Sequence, residues 1–179
     1  MPTSDTGITI RLASLADAFG IARVHVSSWR STYRGIVPEA VLDGLSVEDR
    51  SVRWTQNLAQ DVDKGWFTLV AEDAGRVVGF ASAGPERSED PVFTGELGAL
   101  YLLATHQRLG LGRRLVSEAA RRLREAGMDS MLIWVLRDNP SRGFYEALGG
   151  QYVRRRVLAI GGVDLVEVAY GWKDTAVVR

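Results

Sequence analysis

A single α/β domain on a mixed, twisted sheet of about six to seven strands, with helices on both faces, is the fold this sequence predicts. Three observations carry it. An apolar strand through residues 100–103, an amphipathic helix from Leu111 and a second apolar strand follow one another in about 40 residues, which makes a right-handed crossover between parallel strands. The second of these strands, residues 131–136, is continuously apolar, as a strand buried on both faces of a sheet should be. Residues 152–160 and 163–172 flank Gly161-Gly162 and read as a long antiparallel hairpin, so the sheet is mixed.

The remaining elements follow in order. Ile8-Thr9-Ile10-Arg11-Leu12 alternates apolar and polar residues and predicts a half-buried strand. Ser14 with Asp17 then signals a helix start, and Ala18, Ile21, Ala22, His25 and Trp29 recur at helical spacing. Tyr33 to Pro38 breaks that helix; a second helical stretch begins near Pro38 and a third covers residues 47–58. Residues 67–72 and 76–83 are strands joined by a turn at Asp73-Ala74-Gly75. The polar run from Pro85 to Pro91 is a surface loop. In the crossover helix Leu111, Leu115, Ala119 and Leu123 share one face, Arg114, Glu118, Arg121 and Glu125 lie elsewhere, and Gly127 ends it. A last helix is expected to be capped by Asn139, with Pro140 in its first position and Gly149 as its left-handed terminator.

Composition narrows the function. The 179 residues suit one domain, with residues 1–7 a flexible N-terminus, 8–172 the folded unit and 173–179 a C-terminal tail. Twenty-two basic and 22 acidic side chains cancel, which removes any global attraction to nucleic acid or anionic membrane. There is no cysteine, so disulfides, thiolate catalysis and Cys-ligated zinc are excluded, and His25 and His106 are too far apart in sequence to suggest a metal site. No apolar run approaches the ~20 residues of a membrane span. The first seven residues lack the basic-then-apolar pattern of a secretory signal, so cytoplasmic residence is expected.

The segment from Glu96 to Arg113 carries the chemistry: a strand passes through a polar turn into Gly110-Leu111-Gly112 at a helix start. Unpaired N–H groups and the helix dipole receive a phosphate there, and glycines remove the Cβ atoms that would hold it off. A Walker-type loop is absent, and the dinucleotide fingerprint fails because Leu115 stands at its third glycine. What remains, Gln107-x-x-Gly110-x-Gly112, resembles the acyl-CoA loop of the GNAT superfamily of acyl-CoA-dependent N-acyltransferases. The run from Asn139 through Phe144-Tyr145 to Leu148-Gly149-Gly150 resembles that superfamily's second landmark.

The resemblance, over roughly residues 8–172, implies an acetyltransferase that joins the acetyl group of acetyl-CoA to a primary amine by direct attack, without a metal. It implies Tyr145 as the phenol facing the CoA sulfur and Glu96 as the carboxylate that takes the amine proton. It implies that Leu102, Leu103, Gln107, Arg108, Leu109, Gly110, Leu111, Gly112, Arg113 and Asn139 hold the coenzyme, and that Trp29 and Tyr33 shape the acceptor pocket. His106 reads as a solvated turn residue, His25 as a packed one, and Arg154-Arg155-Arg156 as a solvated strand end. The acceptor is expected to be a small molecule. The alternatives are a protein N-terminus or lysine, or a regulatory domain that binds acyl-CoA without turnover, and the C-terminal strands leave room for a homodimer.

Overall fold

The computed structural model describes residues 7–178, so most of the expected N-terminal segment and the last residue of the expected tail lie outside the described residues. Seven strands form one sheet: β1 (Thr9–Leu12), β2 (Phe67–Asp73), β3 (Arg76–Pro85), β4 (Gly95–Leu102), β5 (Met131–Leu136), β6 (Gln151–Ile160) and β7 (Val163–Trp172), ordered β1-β2-β3-β4-β5-β7-β6. The helices are α1 (Ala18–Thr32), α2 (Glu39–Asp43), α3 (Val47–Asp61), α4 (Leu111–Glu125) and α5 (Arg142–Ala147). Among the described residues no helix is long and apolar enough to cross a membrane.

Local chemistry sets the joints. Asp17 accepts from the Ser14 N–H at 2.7 Å and clasps Arg11, which brings β1 to the start of α1. Ala74 (φ 46°) with Gly75 (φ 77°), and Gly161 (φ 59°) with Gly162 (φ 79°), supply the paired left-handed residues that two-residue hairpins need. The expected surface loop after β3 is tied internally: Glu86 accepts from the N–H groups of Ser88 and Asp90, and Asp90 from those of Val92 and Phe93.

α4 buries Leu111, Leu115, Ala119 and Leu123 against one face of the sheet, on Leu69, Ala81, Leu97 and Met131. On the other face, Ile21, Ala22 and Val24 of α1 and Trp54 of α3 pack on Val70 and Phe80. Both layers cover the sheet as the sequence predicts.

The start of α5 differs from expectation. Its N-cap is Ser141, two residues after Asn139, because the Asn139 side-chain oxygen accepts from the Ser141 N–H at 2.8 Å. That contact closes an Asx turn around Pro140 and postpones the helix. The far end is as expected: Gly149 is left-handed at φ 85°, with Gly150 N–H bonded to the Tyr145 carbonyl at 3.0 Å and Gly149 N–H to that of Glu146 at 2.9 Å.

The sheet is open at its centre. Among the described residues β4 and β5 are the one parallel pair of strands, and they meet at Gly95↔Met131 and Glu96↔Leu132. β4 nonetheless follows β3 to Leu102, and β5 follows β7 to Leu136. Beyond Glu96 the two strands therefore diverge into a fork. A β-bulge lies at its base, where the β3 register jumps from Ser82↔Ala99 to Ala83↔Leu97 and leaves Gly98 extra. Gly98 is exposed and Ala99 to Leu102 are only partly covered, in what would otherwise be the best-buried strand.

Candidate active site

The loop from Gln107 to Gly112, expected to receive a phosphate, follows the end of β4 at the mouth of the fork. Gly110 is left-handed at φ 77°, and a Cβ built there would meet nothing within 4 Å. Arg108 is also left-handed, at φ 62°, a conformation that costs an L-residue about 1–2 kcal/mol. The first intrahelical bond of α4 is Arg114 N–H to the Gly110 carbonyl at 3.1 Å, so the N–H groups of Leu111 and Gly112 precede the helical ladder. Arg108, Leu109 and Arg113 are exposed around them.

Gly112 has a different reason from the expected one. A Cβ on it would come within 3.1 Å of the Phe144 ring and 3.5 Å of Leu102, so this glycine admits α5 and β4 side chains rather than opening space for phosphate. Gly110 alone has that open aspect.

Leu102 and Leu103 are placed unequally. Leu103 N–H donates to Val78 at 2.9 Å and its carbonyl accepts from His106 at 2.8 Å, so its backbone is committed within the protein. By the alternation of an antiparallel ladder the Leu102 N–H is turned the other way, into the fork. The Leu102 carbonyl accepts from Ser28 at 3.2 Å and from Gln107 at 3.3 Å, which ties the loop to α1.

Tyr145 projects from α5 with 6% of its surface exposed, near Phe144 and Tyr170. Its hydroxyl makes no hydrogen bond among the described residues. Burial, with the neighbouring Tyr101 phenol, pushes its pKa up, so the group stays protonated at neutral pH. Glu96, at the base of the fork, is 4% exposed and held by Arg87, whose guanidinium donates to Oε1 at 2.5 Å and to Oε2 at 3.1 Å. Arg87 in turn lies 4.8 Å over the Trp66 ring, and Trp66 covers the backbone of Gly84 and Gly98, where a Cβ would fall within 3 Å of it.

Trp29 and Tyr33 come together at Tyr101. The Trp29 indole donates to the Tyr101 hydroxyl at 3.1 Å, and its ring meets Tyr33 edge-on at 4.9 Å. Asn139 donates to the Tyr33 hydroxyl at 3.3 Å, so with the Ser141 contact both ends of its amide are engaged inside the protein. His25 stacks on Tyr101 at 5.1 Å and accepts from the Trp54 indole at 3.2 Å; burial pulls its pKa down to about 3, so it is neutral. His106 is held more firmly than a solvated turn residue, between Thr105 (2.8 Å) and Asp73 (3.1 Å).

The arginine run is likewise more than a solvated strand end. Arg154 and Arg156 flank Trp134 of β5, the latter at 4.0 Å, and are paired with Asp90 and Glu167. Tyr101, Trp134, Trp66 and Arg87 escaped the sequence reading. The signal available for Tyr101 and Trp134 was a hydroxyl or indole N–H inside an apolar strand, a polar atom that needs a partner.

The mixed seven-stranded sheet and the glycine-bounded helix start are those that the resemblance to the GNAT N-acyltransferases implies, and the comparisons agree. Residues 83–158 match the family described as FR47-like protein. An uncharacterized N-acetyltransferase of Bacillus subtilis (strain 168), YuaI, is 41% identical over 172 residues, 96% of each chain. The L-amino acid N-acyltransferase MnaT of Escherichia coli (strain K12) is 29% identical, over 79% of this chain and 78% of its own. The structure of yncA from Salmonella typhimurium with its cofactor acetyl-CoA superposes with a TM-score of 0.67 at 25% identity, covering 92% of each chain. The chain belongs to the GNAT superfamily, and it is an N-acetyltransferase of that type.

Proposed function

We propose that this protein transfers the acetyl group of acetyl-CoA to the primary amine of a small molecule. The observation that carries the reading is one opening in the sheet that brings together a helix start with unpaired N–H groups and a buried phenol bonded to nothing. The names of two relatives support a small acceptor: MnaT acts on L-amino acids, and the acetyltransferase of Salmonella typhimurium, 30% identical, on L-methionine sulfoximine and L-methionine sulfone.

The open face at Gly110 and the N–H groups of Leu111 and Gly112 fit a diphosphate, with Arg108, Leu109 and Arg113 around it and Gln107 fixing the loop. The Leu102 N–H suits the amides of the pantetheine arm; Leu103 holds the strand that presents it, and Asn139 holds the turn before Tyr145. Acetyl-CoA supplies a thioester carbonyl open to direct attack. The amine must be neutral to attack it, and Glu96, oriented by Arg87, is the carboxylate for that proton. As the C–N bond forms and the C–S bond breaks, the Tyr145 phenol gives its proton to the departing thiolate. Trp29 and Tyr33 line the acceptor side through Tyr101.

Free-thiol release from acetyl-CoA across amino acids, polyamines, aminoglycosides and short peptides tests this, and a chain without cysteine adds no thiol background. Turnover of a small amine, lowered ~10²-fold in kcat by Tyr145→Phe with little change in acetyl-CoA affinity, is expected. Turnover of peptides alone would move the reading to a protein acceptor, and acetyl-CoA binding without turnover of any amine would leave a binding domain.

A further inference from the structure

The inward stripe of α3 contains a charge. Val47, Trp54 and Leu58 pack with α1 and β3. Arg50, three residues after Val47 and four before Trp54, shares their face and is half-buried, whereas Arg53 is exposed. A guanidinium drawn out of water needs a counter-charge or hydrogen-bond acceptors. Two other partly buried arginines have them: Arg23 donates to the Val77 carbonyl at 3.0 Å, and Arg154 is paired with Asp90. Arg50 makes no ion pair and no hydrogen bond among the described residues. The groups within its electrostatic reach are Arg53, Tyr101 and His25, none of them an anion at neutral pH. Burial and Arg53 both pull its pKa down, which marks the site as short of negative charge.

Tyr101 fixes where this cation lies, because its side chain sits on the α1 and α3 side of the diverging strand β4. It is also within electrostatic reach of Glu167 on β7, across the fork. Glu167 is already paired with Arg156, so the charge left without a counterpart beside Tyr101 is the Arg50 cation, which suits an anionic group on the ligand. The guanidinium offers five donors in a planar fork that matches a carboxylate.

We propose that Arg50 is the carboxylate-binding residue of the acceptor pocket and that the acceptor is an α-amino acid, whose amine is acetylated while its carboxylate is held by Arg50. This rests on the small-amine acetyltransferase reading above. Nothing in the sequence near Arg50 resembles a coenzyme contact, and its partner is therefore the acceptor rather than acetyl-CoA.

The test compares methionine with methioninamide and with its carboxylate-free amine, 3-(methylthio)propylamine, as acceptors for wild type, Arg50→Lys and Arg50→Met. The wild type is expected to prefer methionine by ~10–10²-fold in kcat/KM. Arg50→Met should erase that preference by raising the KM for methionine, leave the KM for acetyl-CoA within about threefold, and raise the melting temperature, because an unpaired half-buried cation has gone. Arg50→Lys should retain part of the preference. A structural arginine would show the opposite, a lower melting temperature with the preference intact. Equal use of all three amines by the wild type overturns the carboxylate site and leaves the transferase standing. Loss of acetyl-CoA affinity in Arg50→Met also overturns it. No turnover of any amine, with no methionine binding by calorimetry, overturns both.

Discussion

At the scale of single residues, the cradle stores strain where it has a use. Arg108 occupies left-handed space that favours glycine and is exposed beside the helix start. Arg108→Gly should therefore stabilise the fold by about 1 kcal/mol, read as a higher urea midpoint, while weakening acetyl-CoA binding several-fold through the lost cation. Equal or lower stability would show that the loop is not strained. Glu96 poses a different question, since Arg87 occupies both of its oxygens. If Glu96 takes the amine proton, Glu96→Gln should lower kcat/KM ~10²-fold with little change in melting temperature; a fall in melting temperature with kcat/KM retained would make it an anchor for the loop after β3. The left-handed, open position of Gly110 at the helix start and the place of Tyr145 on α5 were legible because both depend on local spacing. Arg50 and Tyr101 were not, since what marks them is a partner that is missing or supplied by a distant helix.

At the scale of elements, the stripe patterns were legible and the joints less so. The buried face of α4 could be read from four residues at helical spacing, since one period fixes one face. The start of α5 could not, because Asn139 can cap a helix or close a turn and its tertiary partner Tyr33 accompanies the turn. Gly112 shows the same limit: local sequence explains a glycine at a helix start, but the reason lies on α5. Gly112→Val should consequently act on packing, displacing Phe144 and with it Tyr145, and cost about 1–3 kcal/mol of stability before any ligand is added. An unchanged unfolding midpoint with lost acetyl-CoA binding would return this glycine to the phosphate site.

At the scale of the whole molecule, the buried His25 ties stability to pH. Its pKa is about 3 in the folded chain against 6.5 for the free side chain, so the unfolded state takes up the proton first as pH falls. The contribution is complete above pH 6.5 and is lost progressively down toward 3. Between pH 6.5 and 5 the unfolding free energy should drop by about 2 kcal/mol, before Asp17 and Glu118, both held near 2 by arginines, begin to titrate. His25→Leu should flatten that interval in urea unfolding curves; an unaltered slope would mean that another group titrates there. The sheet order itself was only partly foreseeable: the crossover and the hairpin were written locally, but the placement of β7 between β5 and β6 depends on edges that meet across the chain.

The fork also writes an isotopic pattern along β4. Tyr101 and Leu103 direct their N–H groups to β3, whereas Leu102, between them, directs its own at the gap. In deuterated water the Leu102 amide should exchange rapidly while both neighbours stay protected, a fast residue between two slow ones on a central strand. Acetyl-CoA should silence that one amide, so a single exchange rate would report occupancy of the cleft without any turnover being measured.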